Sequence, residues 1–456
     1  MRKRLASFLG LDTAVVYSLS SKGFSALAQP AILYFIASVL SPVEQGYYYT
    51  FYSVLALTIF LELGLGVVIT HFASHEFAAL RWTDSRALTG NEVALGRLLS
   101  IVRMSMNWYG VIVGLSIAGL IPLGLTLFRS QAGHSEVSFV GPWIFMILAA
   151  GIGTWLIPII AVLGGSGRIA DVQRIKLVQN IVGSTTFCLA LAFGARLYAP
   201  ALMLLSQSIV FMVWFVLVFP GLVVQLMNHR RSAVVAKFSW ATEIFPMQWR
   251  VALSWLSSYF IGYTANPLLF AFRGPVEAGQ MGMSRSIADL VAGVGMPWVS
   301  TRSVTYGMYV NRRDYASLDR IALRSTLQGL VASTGAAASV IVGILVARRA
   351  FPDLVERILP LPGIAGLLVS SVGGVAVNSM GEYLRAHKRE PYLHVNLVLA
   401  VMVTITNVVS AMYFNATTMA ITFALVTTLL GWPLAAHVFV TQRRERMRSD
   451  GASVSE

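Results

Sequence analysis

Polar and charged positions in this 456-residue chain gather in short clusters, separated by stretches of almost uninterrupted apolar residues. Crossing the hydrocarbon core of a bilayer takes about 20 apolar residues of helix. Windows of about that length place apolar runs at 13–40, 47–70, 104–128, 139–163, 174–194, 199–226, 251–273, 281–301, 324–347, 361–384, 391–413 and 417–440. The pattern predicts an all-α polytopic membrane protein with about twelve transmembrane helices. Segment 71–103 is weakly amphipathic and reads either as a loop or as one additional interfacial helix.

One short pattern occurs twice, each time between two apolar runs. Leu40-Ser41-Pro42-Val43-Glu44-Gln45-Gly46 joins the first pair, and Arg273-Gly274-Pro275-Val276-Glu277-Ala278-Gly279 joins the seventh to the eighth. Pro-Val-Glu-x-Gly reads as a tight link, in which Pro ends one helix by removing a backbone donor and Gly supplies the φ freedom to start the next. A polar residue followed by Pro lies inside the run before each copy, Gln29-Pro30 and Asn266-Pro267. The copies stand about half the chain apart. The sequence therefore reads as two pseudo-symmetric six-helix halves, the arrangement of transporters built from repeats. Their expected bounds are 1–227 and 251–442, with a basic cytoplasmic inter-repeat linker at 228–250 and a disordered basic tail at 443–456.

Composition agrees: 56% of residues are hydrophobic and 12% charged, where a soluble domain carries about one quarter charged. The net charge of +14 comes from 34 basic and 20 acidic residues, and their placement decides what it means. Arg129, Arg196, Arg273, Arg348, Arg349 and Arg357 are the basic residues of one set of alternate connections, and Lys22 and Arg285 fall within spans. All the others lie at the termini or in the opposite connections. That bias puts both termini in the cytoplasm and requires an even number of spans. It also removes the single basic patch that binding to nucleic acid needs. Cys188 is the only cysteine, so the chain has no internal disulfide and no cysteine-based metal site. Met1-Arg2-Lys3-Arg4 looks like the start of a signal peptide, but the long apolar run after it has no small-residue cleavage site and reads as a span that stays.

Ionisable groups are costly within a bilayer and usually face a bundle interior or water. Ser18, Lys22, Ser25 and Gln29 recur on one face of the first helix. Lys22 either snorkels to the cytoplasmic surface or faces a cavity together with Ser25 and Gln29. Arg285 and Asp289, four residues apart, make an ion pair on one helix face. They serve either as a structural bridge or as a cation for an anionic ligand, with Asp289 holding it or titrating. Glu62 is the other embedded carboxylate. Trp255, Tyr259, Tyr263 and Asn266 form an aromatic face ending in an amide, suited to sugar rings and equally to helix packing. Tyr47, Tyr48 and Tyr49 read as anchors at the membrane interface. The substrate-binding candidates are thus Lys22, Ser25, Gln29, Tyr259, Tyr263, Asn266 and Arg285, and the ion-coupling candidates Asp289 and Glu62.

Several chemistries lack their motifs. No lysine follows a glycine as a phosphate-binding loop demands, so ATP hydrolysis on this chain is excluded. No His-x-Glu or His-Glu-x-x-His helix offers a metal site, and the first outer loop holds no carboxylate pair for acid–base work on a glycan. The sequence predicts no catalytic residue, no metal and no cofactor.

The stretch LSPVEQGYYYTFYSVLALTIFLELGLGVVITHFASHE at 40–76, with the doubled architecture and basic cytoplasmic ends, resembles the polysaccharide-biosynthesis branch of the multidrug/oligosaccharidyl-lipid/polysaccharide (MOP) exporter superfamily, the Wzx-type O-antigen flippases. The resemblance implies a MATE-like bundle with a central cavity. It also implies alternating access that turns a polyprenyl-pyrophosphate-linked oligosaccharide across a bacterial inner membrane, with the lipid bilayer and a polysaccharide polymerase as partners. Family members use cationic cavity groups for pyrophosphate or acidic sugars, and Lys22 and Arg285 stand in matching locations. Drug exporters of the superfamily place a carboxylate in the first helix, where this chain has Lys22. Lipid II flippases have several arginines in the first two spans and two additional helices, and neither is found here. A MATE-like drug or metabolite exporter is the alternative reading. A glycan polymerase or ligase is the alternative of another class, and it needs a larger outer loop than this chain has.

Overall fold

A computed structural model describes residues 13–131, 137–228, 245–387 and 392–452, and nearly all of them are helical. The helices are α1 (Thr13–Val39), α2 (Pro42–Leu55), α3 (Ile59–Glu62), α4 (Leu65–Phe77), α5 (Glu92–Arg129), α6 (Val140–Gly165), α7 (Ile169–Ala192), α8 (Ala199–Val218) and α9 (Pro220–Asn228). They continue as α10 (Phe245–Gly262), α11 (Ala265–Arg273), α12 (Pro275–Ser300), α13 (Ser303–Asn311), α14 (Tyr315–Ala350), α15 (Pro352–Val355), α16 (Leu361–Ala386), α17 (Leu393–Tyr413), α18 (Ala416–Leu425) and α19 (Trp432–Ala452). Every predicted apolar run falls in a helix or a broken pair of helices. Among the described residues, eight helices are long and apolar enough to cross a membrane, or nine if Pro42–Glu62 and Leu65–Phe77, bent by 45°, make one span. Three predicted runs fall short: α1 with Lys22, the interrupted α10 and α11, and α12 with Arg285 and Asp289.

The chain packs as two compact units. One takes the described residues up to Leu40 and those from Val54 to Leu256; the other takes Ser41–Ser53 and those from Ser257 onward. In the first unit α6 packs against α4, α5 and α8, and α7 packs against α1 and α8. In the second, α16 packs against α12, α14 and α18, and α17 packs against α11 and α18. The helices of the two units correspond in order.

The repeated motif lies wholly within the second unit. Ser41 and Glu44 form a reciprocal capping box at the start of α2: the Ser41 N–H donates to Glu44 Oε2 at 2.8 Å, and the Glu44 N–H to Ser41 Oγ at 3.1 Å. Gly274 replaces the serine in the second copy and turns the chain at φ 94°. Glu277 is thereby released to accept from the Ala416 N–H at 2.7 Å, at the start of α18. Pro42 and Pro275 open helices, so they begin the second helix of each pair where the sequence suggested that they end the first. Gly46 and Gly279 supply no turn either. Both lie inside helices, and a Cβ on Gly46 would overlap the Pro275 carbonyl, while one on Gly279 would stand 2.9 Å from Gly46 N. The two copies pack on each other, and glycine is there for the close approach of two backbones. Gln45 Nε2 ties the crossing to the loop after α15, donating to Gly279 O and Arg357 O, both at 2.9 Å.

Segment 71–103 contains neither an interfacial helix nor a plain loop. It folds as the end of α4, a hairpin of β1 (Leu80–Trp82) and β2 (Leu88–Gly90), and the start of α5. Gln225 clamps that hairpin, accepting from the Leu88 N–H at 2.9 Å and donating to its carbonyl at 2.7 Å. Trp82 Nε1 donates to Ser166 O at 2.9 Å. Of the expected linker, residues 229–244 lie outside the described residues. The tail is helical as far as Ala452, where disorder was expected, and Arg443 is paired with Asp319 at 2.5 Å.

Candidate functional site

In the second unit a cavity of about 300 Å³ opens between α2, α12 and the break between α10 and α11. One glycine lets its walls form. Gly282 on α12 has no Cβ because the Tyr49 ring occupies that place. Gly262 ends α10 just before the break, and Pro267 follows in the first turn of α11, where its missing N–H costs nothing. Thr264 at the break donates its hydroxyl back to Phe260 O at 2.9 Å and accepts from Asn407 of α17 at 3.1 Å. It makes no cap bond, so the first-turn N–H groups of α11 have no side-chain acceptor there. The corresponding Gln29-Pro30 step sits within the continuous α1.

Four of the sequence candidates line this cavity: Tyr263, Asn266, Arg285 and Asp289. Arg285 Nε is 3.6 Å from Asp289 Oδ1, and its guanidinium lies over the Phe423 ring at 4.6 Å from the centroid. Asp289 is 68% exposed and Arg285 28%, so the carboxylate stands in the open and the guanidinium against the wall. Tyr263 is 45% exposed and stacks on Tyr259, 5.9 Å between ring centroids. Tyr259 itself is buried and donates to Ser53 O at 3.4 Å, so it supports the wall and does not line the cavity.

Tyr48, Tyr49 and Tyr52 form the opposite wall. Tyr47, Tyr48 and Tyr49 are all buried, which corrects the reading of these residues as interfacial anchors. Tyr47 packs edge-on against Phe270 at 4.9 Å, and Tyr48 against Tyr52 at 5.2 Å. Tyr52, Ser53, Ser286 and Phe423 were missed as site residues. The first had a signal, since Tyr48 and Tyr52 are four apart and share a helix face. Phe423 had none, because only tertiary packing brings it to Arg285.

The other candidates lie in the first unit. Lys22 is exposed on α1 and has no ion pair or hydrogen bond among the described residues. Its neighbours on that helix are engaged: Asn180 of α7 donates to Ser21 Oγ at 2.8 Å and to Ser25 Oγ at 3.2 Å. Gln29 is half-buried one turn further on. Glu62 ends α3 at the break where Leu63 and Gly64 take left-handed φ values of 50° and 69°, and it accepts from the Tyr109 hydroxyl of α5 at 3.0 Å.

No family model matches this sequence, and no curated protein matches it. Solved structures do. A multidrug resistance MATE family transporter of the MOP superfamily, inward-facing, aligns with a TM-score of 0.65 at 15% identity, covering 94% of this chain and 99% of that one. The lipid II flippase MurJ in an inward closed conformation aligns at 0.62 and 11% identity, covering 94% and 87%. A MATE in complex with MaL6 aligns at 0.54 and 16% identity, covering 95% and 97%. The fold is that of the MATE and MurJ transporters. At such identities the likeness is one of fold alone, and the chain is a multi-pass helical membrane protein of that architecture.

Proposed function

We propose that this protein is a flippase. It moves a polyprenyl-pyrophosphate-linked oligosaccharide, an O-antigen or other surface-polysaccharide repeat unit, from the inner to the outer leaflet of the bacterial inner membrane by alternating access. The observation that carries this reading is the cavity in the second unit, which puts tyrosine faces, an amide and a guanidinium together inside an apolar bundle of transporter fold. Sugars have apolar ring faces and hydroxyl edges, and such a wall meets both. The task is physical: the protein replaces water around the polar head while the lipid tail stays in hydrocarbon. A diphosphate carries about two negative charges, each worth about 2.3 kcal/mol per 100 mV, so the membrane potential favours outward movement. Lys22 and Arg285 are the proposed cationic contacts, and Glu62 and Asp289 the proposed groups for ion coupling.

A drug or metabolite exporter is the competing reading, favoured by the exposed carboxylate of Asp289 beside aromatic rings, which suits an organic cation. Depleting the protein in cells separates the two. The flippase reading predicts loss of surface glycan and accumulation of lipid-linked repeat units on the inner leaflet. Increased drug sensitivity with unchanged glycan would favour the exporter.

A further inference from the structure

The size and charge of the second unit's cavity restrict which part of such a substrate it takes. Small-molecule sites span ~300–1,000 Å³, and this one, at about 300 Å³, matches a single sugar ring with its substituents. Its formal charges cancel. Among the lining residues Arg285 is the one full cation and Asp289 the one carboxylate, 3.6 Å apart. A pyrophosphate docked here would face Asp289 with a single guanidinium in compensation, and that guanidinium already rests against Phe423.

Phosphate sites draw on several cationic donors or on runs of free backbone N–H groups. Arg285 and Asp289 project from the interior of α12, whose N–H groups are engaged within the helix. The first turn of α11 adds only a partial positive charge. What the walls do offer is a half-exposed ring face on Tyr263, the amide of Asn266, a guanidinium and a carboxylate. These accept and donate to hydroxyl, acetamido or single carboxylate groups around a ring.

Resting on the flippase reading, we propose that this cavity binds one sugar ring of the glycan, uncharged or bearing a single carboxylate, and that the pyrophosphate is held elsewhere. Tyr263 supplies the ring face, and Asn266, Arg285 and Asp289 read the edge.

Saturation-transfer NMR on the full chain in nanodiscs tests this, with N-acetylglucosamine and glucuronic acid as probes and inorganic pyrophosphate as competitor, against sulfate at equal ionic strength. The expected result is transfer to the ring protons of at least one sugar and no more displacement by pyrophosphate than by sulfate. Tyr263→Ala weakens binding about two- to tenfold, the worth of an aromatic contact, and Tyr263→Phe, which keeps the face, binds as the parent does. Displacement by pyrophosphate at low concentration, no transfer from either sugar, or equal binding by Tyr263→Ala overturns the proposal. The flippase reading fails separately: a chain that binds sugar here yet moves no lipid-linked oligosaccharide in vesicles keeps the sugar site and loses the transport assignment.

Discussion

Replacing Gly46 by alanine tests whether the doubled motif forms a backbone crossing. The three atoms nearest a Cβ at this position are the O, C and Cα of Pro275, all backbone, so no rotamer change can relieve the overlap. Overpacking of this kind costs about 1–3 kcal/mol. Exchanging Gly for Ala inside a helix returns up to about 1 kcal/mol; an overlap with backbone that cannot relax takes the upper end of the overpacking range, which leaves a net loss of about 2 kcal/mol. Gly114 and Gly119 of α5 are the controls, because a Cβ there meets nothing within 4 Å. Their alanine variants keep the helix-propensity gain without the clash, so they match or exceed the parent. Thermal unfolding in detergent, followed by size exclusion after graded heating, should place Gly46→Ala clearly below the parent and both controls at or above it. If Gly46→Ala melts with the controls, the two copies do not press together at this point and the reasoning fails.

Three other outcomes follow from the same packing. Glu62→Gln keeps an acceptor for the Tyr109 hydroxyl, so it folds normally but loses pH-gradient-driven transport if Glu62 couples protons; Glu62→Leu strands that hydroxyl and loses about 1–3 kcal/mol of stability. Gln225→Ala removes two hydrogen bonds to Leu88, each worth about 0.5–1.5 kcal/mol, and amide exchange across 80–90 should accelerate roughly tenfold or more with the helices of that unit unchanged. Lys22→Gln combined with Arg285→Gln should lower surface glycan at normal membrane levels, and undiminished glycan would remove both residues from the proposed substrate contacts.

The helices were legible because a bilayer demands long apolar runs, and the motif at 42–46 and 275–279 was visible as a repeat. Its role was misread for a physical reason. Proline and glycine mark turns in most contexts, and nothing local distinguishes a glycine that bends a chain from one that lets two helices touch. The tyrosines at 47–49 failed for a related reason, since an aromatic cluster beside a loop suits a membrane interface as well as a buried wall. The hairpin at 80–90 was missed because each strand is three residues long, too short for alternation to show. Arg285 and Asp289 were singled out from the cost of charged groups in lipid, and Tyr263 and Asn266 from the aromatic face at helical spacing, whereas Phe423 comes from a helix remote in sequence. The second-unit membership of Ser41–Ser53 likewise follows from packing that no local pattern records.

The most direct test of transport is to reconstitute the purified chain alone into liposomes carrying a fluorescent polyprenyl-pyrophosphate oligosaccharide in both leaflets, and to follow its exposure to a membrane-impermeant reagent. The flippase account predicts that label protected in the inner leaflet becomes accessible at a rate that rises with protein content and drops when Arg285 is replaced. Protection that persists at the level of protein-free liposomes would contradict it.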